Sequence, residues 1–532
     1  MKLKNQLAQT CALLLIVMAA RASAGDYAVV VSRTTAADPA WKQVVDALVT
    51  AHHADVVQYD GDVANALAAL RKQLPRYACF VTQPNEATRG FVAKVHHMTR
   101  SLNDDPYTDC LWGILTGYDA NTALRIARHQ EPLVIHKSAA ATEIDLDMCE
   151  QGVWYCELDK TRAQKKEPGA KPQPLTRDID STRDLTDLLN DYHADLFITS
   201  GHASEHDWMI GYRYLNGYFR CADGVVYGVN TKNEKLPIHS DNPKVYLPVG
   251  NCLMGHVDGR DCMALAYMHS AGVDQMTGYT VESWYGYAGW GMLDYFVEQP
   301  GRYTCAEAFI ANENALIHRL ATYFPDLLKV EDGVDYRGPV PLTPEAQAAG
   351  LSEQDGRGLL YDRDVFAFYG DPAWSAKMAD QPKNWDQSLT EHHGIYTFVI
   401  KPNRGAASFD PVDTNGSQRG HRPFVEFFPH RLADVQLIEG SDLMPVITSQ
   451  FILVPNPGKC EPGKEYRISF KANRGIEFGA ARSPSHGNHT TRPVEEYSRG
   501  WGDAGRERLG AWLGLACGSR CADRRLDAQR PA

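Results

Sequence analysis

Short apolar runs alternate with helix-periodic segments along the first part of this chain, and that alternation constrains the fold more than any other feature. Residues 27–31, 56–59 and 78–81 are strand-like. Between them, residues 39–52 set Trp41, Val44, Val45, Leu48 and Val49 on one helical face, and residues 63–74 repeat the pattern. A further helix is expected from Glu86. Such a βαβαβ series demands parallel pairing with right-handed crossovers. A second series begins near Ser181, with a helix at 182–192 and strands ending at Gly201 and Asn251. It continues through a helix at 261–271, a strand at 273–279, helices at 291–298 and 305–324, and a last strand at 365–369. Residues 325–358 are polar and rich in Pro and Gly. The expected fold class is α/β, a mostly parallel sheet flanked by helices in two subdomains.

From about His392 the texture changes to short alternating runs at 395–401, 424–428, 435–438, 451–454 and 466–471, which predict a small antiparallel β domain of sandwich type. Residues 160–174 are rich in Lys, Gln and Pro and are expected as an exposed, flexible loop. Residues 481–532 contain nine Arg and no Lys with little periodicity, as in a disordered tail or an altered reading frame at the gene's end. The expected organisation is a signal segment (1–24), an N-terminal α/β subdomain (25–156), a flexible loop (157–180), a catalytic subdomain (181–380), a β domain (390–480) and the tail.

Lys2 and Lys4 precede an apolar stretch at 12–20 and the small residues Ala22-Ser23-Ala24, the pattern of a cleaved secretory signal. The stretch is too short to span a membrane, and no other span is evident. An exported protein, secreted or periplasmic, is expected. The formal charge of −12 argues against nucleic acid as a partner. Of 12 cysteines, Cys11 would leave with the signal, so an odd number remains and at least one thiol is unpaired or paired between chains. Cys149 with Cys156, and Cys517 with Cys521, are close enough in sequence to pair locally, although spacing does not establish it.

Two strand ends carry the chemistry. The run at 195–201 leads into His202, and the run at 245–251 leads into Cys252. In open parallel sheets, ligands and reacting groups gather at the carboxyl ends of strands. A thiol beside an imidazole ionises near neutral pH and becomes a strong nucleophile. A zinc site from His202, His206, Cys252 and His256 is the rival reading, since both motifs have x₃ spacing. Against it, both segments contain Gly and are expected to turn, so residues four apart need not share a face. A catalytically inactive binding or adhesive protein is a third reading.

Together these segments resemble the gingipain-type cysteine peptidases, relatives of the caspases. The resemblance lies in Ser200-Gly201-His202-Ala203-Ser204, in Gly250-Asn251-Cys252, in the acidic turn from Asp104 to Asp109 followed by Trp112-Gly113-Ile114-Leu115, and in Tyr369-Gly370-Asp371-Pro372. It covers roughly residues 25–374 and the β domain, which would be Ig-like. It implies a caspase-like fold, Cys252 as nucleophile, His202 as its acid–base partner, and an oxyanion hole from the Ala203 and Cys252 amides. Where the family usually has Gly after the histidine, this chain has Ala203, which keeps the N–H. The segment from Thr280 to Trp284 would wall the specificity pocket, although Trp284, Tyr285, Tyr287 and Trp290 read equally well as core aromatics. Asp105 or Asp104 would reach the same pocket and favour Arg or Lys before the scissile bond. No cofactor and no metal are expected. The partner would be a peptide or protein substrate, and nothing in the sequence sets an oligomeric state.

Overall fold

The structure is a computed structural model that describes residues 26–475. The expected signal segment and Arg-rich tail, with Cys517 and Cys521, lie outside the described residues.

One sheet runs through the larger unit. Its strands in chain order are β1 (Tyr27–Ser32), β2 (Asp55–Tyr59), β3 (Tyr77–Val81), β4 (Leu111–Leu115), β5 (Lys137–Ala140), β6 (Gln151–Tyr155), β7 (Ala163–Lys166), β8 (Gln173–Pro174), β9 (Leu196–Gly201), β10 (Lys244–Asn251), β11 (Val273–Tyr279) and β12 (Phe366–Tyr369). Their order across the sheet is β2-β1-β3-β4-β12-β11-β10-β9-β5-β6-β7-β8. Pairing is parallel throughout β2-β1-β3-β4 and again throughout β11-β10-β9-β5-β6. Between the two blocks, β12 is parallel to β4 and antiparallel to β11. The blocks therefore run in opposite directions, and the carboxyl ends of β9 and β10 open at the end of the sheet away from those of β1–β4. This is the expected α/β class with a mostly parallel, helix-flanked sheet.

Local chemistry explains the helices. Pro39–His52 starts at a proline and is capped by Asp38, and it packs against Ala120–Arg128, capped by Asp119. Cys305–Tyr323 opens with a reciprocal capping box between Thr304 and Glu307 and is buried over most of its length. The stretch expected as polar connection holds a helix, Glu353–Asp362, whose own capping box pairs Ser352 with Asp355.

The N-terminal subdomain was expected to run to residue 156, but β5 and β6 belong to the second block, alongside β9. Within the region expected as a flexible loop at 157–180, residues 163–166 and 173–174 form β7 and β8, two short antiparallel strands at the sheet edge. Lysines and a proline suit that position, because they blunt an edge against further pairing.

The β domain has two antiparallel sheets. Trp385–His392, Ile395–Pro402, Tyr466–Arg474 and Leu432–Glu439 form one; Phe424–Phe427, Phe451–Val454 and Val446–Ile447 form the other. Phe398, Ile400, Ile468 and Phe470 meet Phe424, Ile452 and Val454 in a core of their own. The alternate residues Val425, Phe451 and Leu453 join the α/β core instead. The smaller sheet is thus buried on both faces and fastens the domains together. Cys149 and Cys156, considered for local pairing, are separate thiols. No helix among the described residues is long and apolar enough to cross a membrane.

Candidate active site

Four adjacent parallel strands, in the order β10-β9-β5-β6, end on the same side of the sheet. Cys252 and His202 are the first residues beyond β10 and β9, and Thr142 and Glu157 are the second beyond β5 and β6. Gly201 is paired with Asn251, so His202 and Cys252 leave neighbouring strands at the same level. Neighbouring strands lie about 4.8 Å apart. Asn251 locks the two ends together: its Nδ2 donates to the Gly201 carbonyl (3.0 Å), and its Oδ1 accepts from the Thr199 hydroxyl (2.7 Å). A register irregularity lies just upstream, where Thr199 pairs with Pro248 and Ser200 with Gly250. Bulges of this kind re-aim side chains at strand ends.

The backbone on either side is held in conformations that side chains resist. Gly201 has φ +108° and Leu253 has φ +56°. Leu253 keeps this left-handed turn because its N–H donates to the Val281 carbonyl at 2.9 Å. After His202 the chain makes a small antiparallel turn in which Met209 N donates to His202 O and Ser204 N to Asp207 O (2.8 Å each). Those bonds flank Ala203 and leave its amide out of the ladder, as an oxyanion donor requires.

The His202 ring stacks on Tyr212, with centroids 4.5 Å apart. Burial lowers its pKa, which favours the neutral ring that can accept a proton. No carboxylate among the described residues hydrogen-bonds it. Cys252 is buried, with Sγ 3.8 Å from both the carbonyl and the hydroxyl of Ser283.

A cavity of about 140 Å³ adjoins these strand ends. Ser200, Gly201 and Gly250 form one side; Ser283, Trp284, Gly286 and Trp290 form another; and Glu157 supplies an acid. Trp284 lines this cavity, while Tyr285 and Tyr287 are buried. Glu157 is only 4% exposed. Its Oε1 accepts from the Thr142 hydroxyl at 2.8 Å, and its Oε2 is buried with no hydrogen-bond partner. Burial pushes its pKa up to about 7, against the opposing pull of its hydrogen bonds. A buried carboxylate oxygen without a partner, on a residue that lines a cavity, is short of a hydrogen-bond donor or a cation.

Asp104 and Asp105 do not reach this cavity. Asp105 caps its own turn, accepting from Tyr107 N and Asn103 Nδ2 (2.9 Å each). Tyr107 then packs on Phe451 of the β domain. The turn precedes β4, and β12 and β11 separate β4 from β10, about 14 Å of sheet. The acid in the pocket is Glu157, which the sequence reading passed over although it follows a buried strand as His202 and Cys252 do.

The zinc alternative fares no better. Among the described residues, Glu205, His206 and Asp258 are the only group of three or more potential ligands whose ligating atoms lie within 4.8 Å of one another. His206 has its Nε2 3.2 Å from Asp258 and its Nδ1 3.0 Å from the Asp261 carbonyl. His202, His206, Cys252 and His256 do not converge.

No family model and no curated protein matches this chain. Among solved structures, the complex of Porphyromonas gingivalis RgpB pro- and mature domains is similar at 12% identity, covering 85% of this chain and 94% of the other, with TM-score 0.40. A structure described only as a protease is similar at 10% identity over 85% and 96% of the two chains, with TM-score 0.37. Both likenesses are distant and carry no functional conclusion.

Proposed function

We propose that the chain is a cysteine-type peptidase of the caspase-like class, exported to act outside the cytoplasm, with Cys252 and His202 as its dyad. The observation that carries this reading is the Gly201–Asn251 pairing: His202 and Cys252 follow the ends of adjacent parallel strands, whose last residues Ser200, Gly201 and Gly250 line a pocket. In the proposed cycle, His202 takes the Cys252 proton and the thiolate attacks the scissile carbonyl carbon. The resulting oxyanion is held by the Ala203 and Cys252 amides. Collapse breaks the C–N bond as His202 returns the proton to the leaving amine, giving a thioester. Water, deprotonated by His202, then attacks the thioester, releases the acid and restores the thiol. Glu157 supports a preference for Arg or Lys before the scissile bond, because a guanidinium or ammonium would satisfy its orphaned oxygen.

The test uses purified protein and peptide libraries. Cys252→Ala is expected to abolish hydrolysis with the fold intact, and His202→Ala to slow both hydrolysis and alkylation of Cys252 by iodoacetamide. A wild-type protein that cleaves nothing and alkylates slowly at Cys252 would point instead to an inactive binding protein.

A further inference from the structure

The pocket is not built by the α/β unit alone. Asn415, Gly416 and Ser417, which belong to the β-domain part of the chain, line it beside Glu157 and Trp290. Ser417 Oγ donates to the Tyr285 carbonyl at 3.0 Å, fastening the segment to the Trp284 side of the pocket. Gly416, at φ +96°, lies against the Trp290 ring so closely that a Cβ would come within 2.3 Å of it. Asn415 fastens the opposite side: its Nδ2 donates to the Thr142 hydroxyl at 2.9 Å and to the Glu143 carbonyl at 3.1 Å. The amide can face only this way. Thr142 gives its single hydroxyl hydrogen to Glu157 and Glu143 offers a carbonyl, so both partners need a donor.

These bonds form a directed relay from the Asn415 amide through the Thr142 hydroxyl to the Glu157 carboxylate. We propose that Asn415 is a positioning residue for the specificity site, holding Thr142 so that Glu157 presents a carboxylate to a cationic substrate side chain. The β domain is then part of the substrate-selecting machinery. The inference rests on the pocket selecting a basic side chain, as argued above. Without Asn415 the Thr142 hydroxyl is released to turn toward other acceptors, and Glu157 loses a bond that favours its charged form. The charged and titratable groups facing Glu157 are Glu143, Arg162 and Cys156. None of them is a substitute donor placed in this relay.

The experiment compares Asn415→Ala, Thr142→Val and the double variant with wild type, all in the full chain with melting temperatures recorded. Two fluorogenic peptides differ only in arginine or its uncharged isostere citrulline before the scissile bond, and each is assayed from pH 6 to 9. Binding of agmatine, measured by calorimetry, reads the pocket without catalysis. Asn415→Ala is expected to lower kcat/KM for the arginine peptide about tenfold, mainly through KM, and to leave the citrulline peptide within about twofold. The rising limb of the arginine profile should move to higher pH, agmatine should bind about tenfold more weakly, and the double variant should be no worse than Thr142→Val alone. Equal losses on both peptides, no loss on either, or additive effects would overturn the inference while leaving the peptidase reading standing. A wild type that binds agmatine and cleaves neither peptide would instead overturn the peptidase reading, with the agmatine affinities of the variants still deciding the role of Asn415.

Discussion

At the scale of single residues, the site depends on where backbone atoms are allowed to go. Gly201 carries φ +108° immediately before His202, and a Cβ there would come within 3.3 Å of the Met209 carbonyl. Gly201→Ala should cost about 1–3 kcal/mol in denaturant unfolding. By displacing the imidazole it should also lower kcat on the order of a hundredfold. Glu157 gives a prediction with a defined sign. Its pKa is raised to about 7 by burial, so the folded protein binds that proton more tightly than the unfolded chain does. Its contribution is fully present below the ordinary glutamate pKa and is lost as pH rises through 7. Glu157→Gln should therefore be near neutral at pH 4 and relatively stabilising by on the order of 2 kcal/mol at pH 8.5. Melting curves at the two pH values check this, and a variant with the same effect at both would show that Glu157 does not titrate as its burial implies. The same variant should lose selectivity for arginine over citrulline peptides.

At the scale of elements, the strand Phe451–Val454 shows how one short segment serves two domains. All four residues are buried, with Phe451 and Leu453 in the α/β core and Ile452 and Val454 in the β-domain core. A continuous apolar run in an otherwise alternating region has this meaning: both faces are covered. Phe451→Ala should cost about 3–5 kcal/mol and should loosen the joint between domains, so that a single denaturation transition splits in two. Calorimetry would show it, and one unchanged cooperative transition would count against the sheet as the joint. The capping box at Ser352 and Asp355 makes a related point. The helix Glu353–Asp362 starts within a stretch whose overall composition suggested connection only, and its capping box is a local property of residues 352–355.

At the scale of the whole molecule, a buried ion cluster ties the pocket segment to the α/β unit. Asp294 accepts from Arg419 Nε and Arg422 Nε at 2.7 Å each, Arg419 also reaches Glu298, and Arg422 covers the Tyr287 ring. Arg419 Nη1 in turn donates to the Asn415 carbonyl at 2.7 Å. Burial works against the Asp294 carboxylate, but the two guanidinium groups outweigh it and hold its pKa below the ordinary value. A depressed carboxylate stabilises the fold above its ordinary pKa and is lost as pH falls, here below about pH 4. Asp294→Asn leaves two buried cations short of a partner and should cost about 3–5 kcal/mol at pH 7. The cost should shrink toward zero in acid. Selectivity for arginine peptides should fall with it, because the Asn415 backbone loses its anchor; a variant that unfolds more easily yet selects as before would separate the cluster from the pocket.

What the sequence determined by itself was local. Period and composition were enough to read most strands and helices, the change to an antiparallel β domain, and the two strand ends that carry His202 and Cys252. These signals survive because hydrophobic alternation and capping are properties of contiguous residues. Strand order was decided only in three dimensions, by which apolar faces bury each other across long sequence separations. That order moved β5 and β6 into the second block, turned a Lys- and Pro-rich stretch into a protective edge, carried Asp104 and Asp105 away from the site, and brought Glu157 to it. It also carried Asn415 to Thr142, 273 residues away in the chain, a contact that no periodicity could announce.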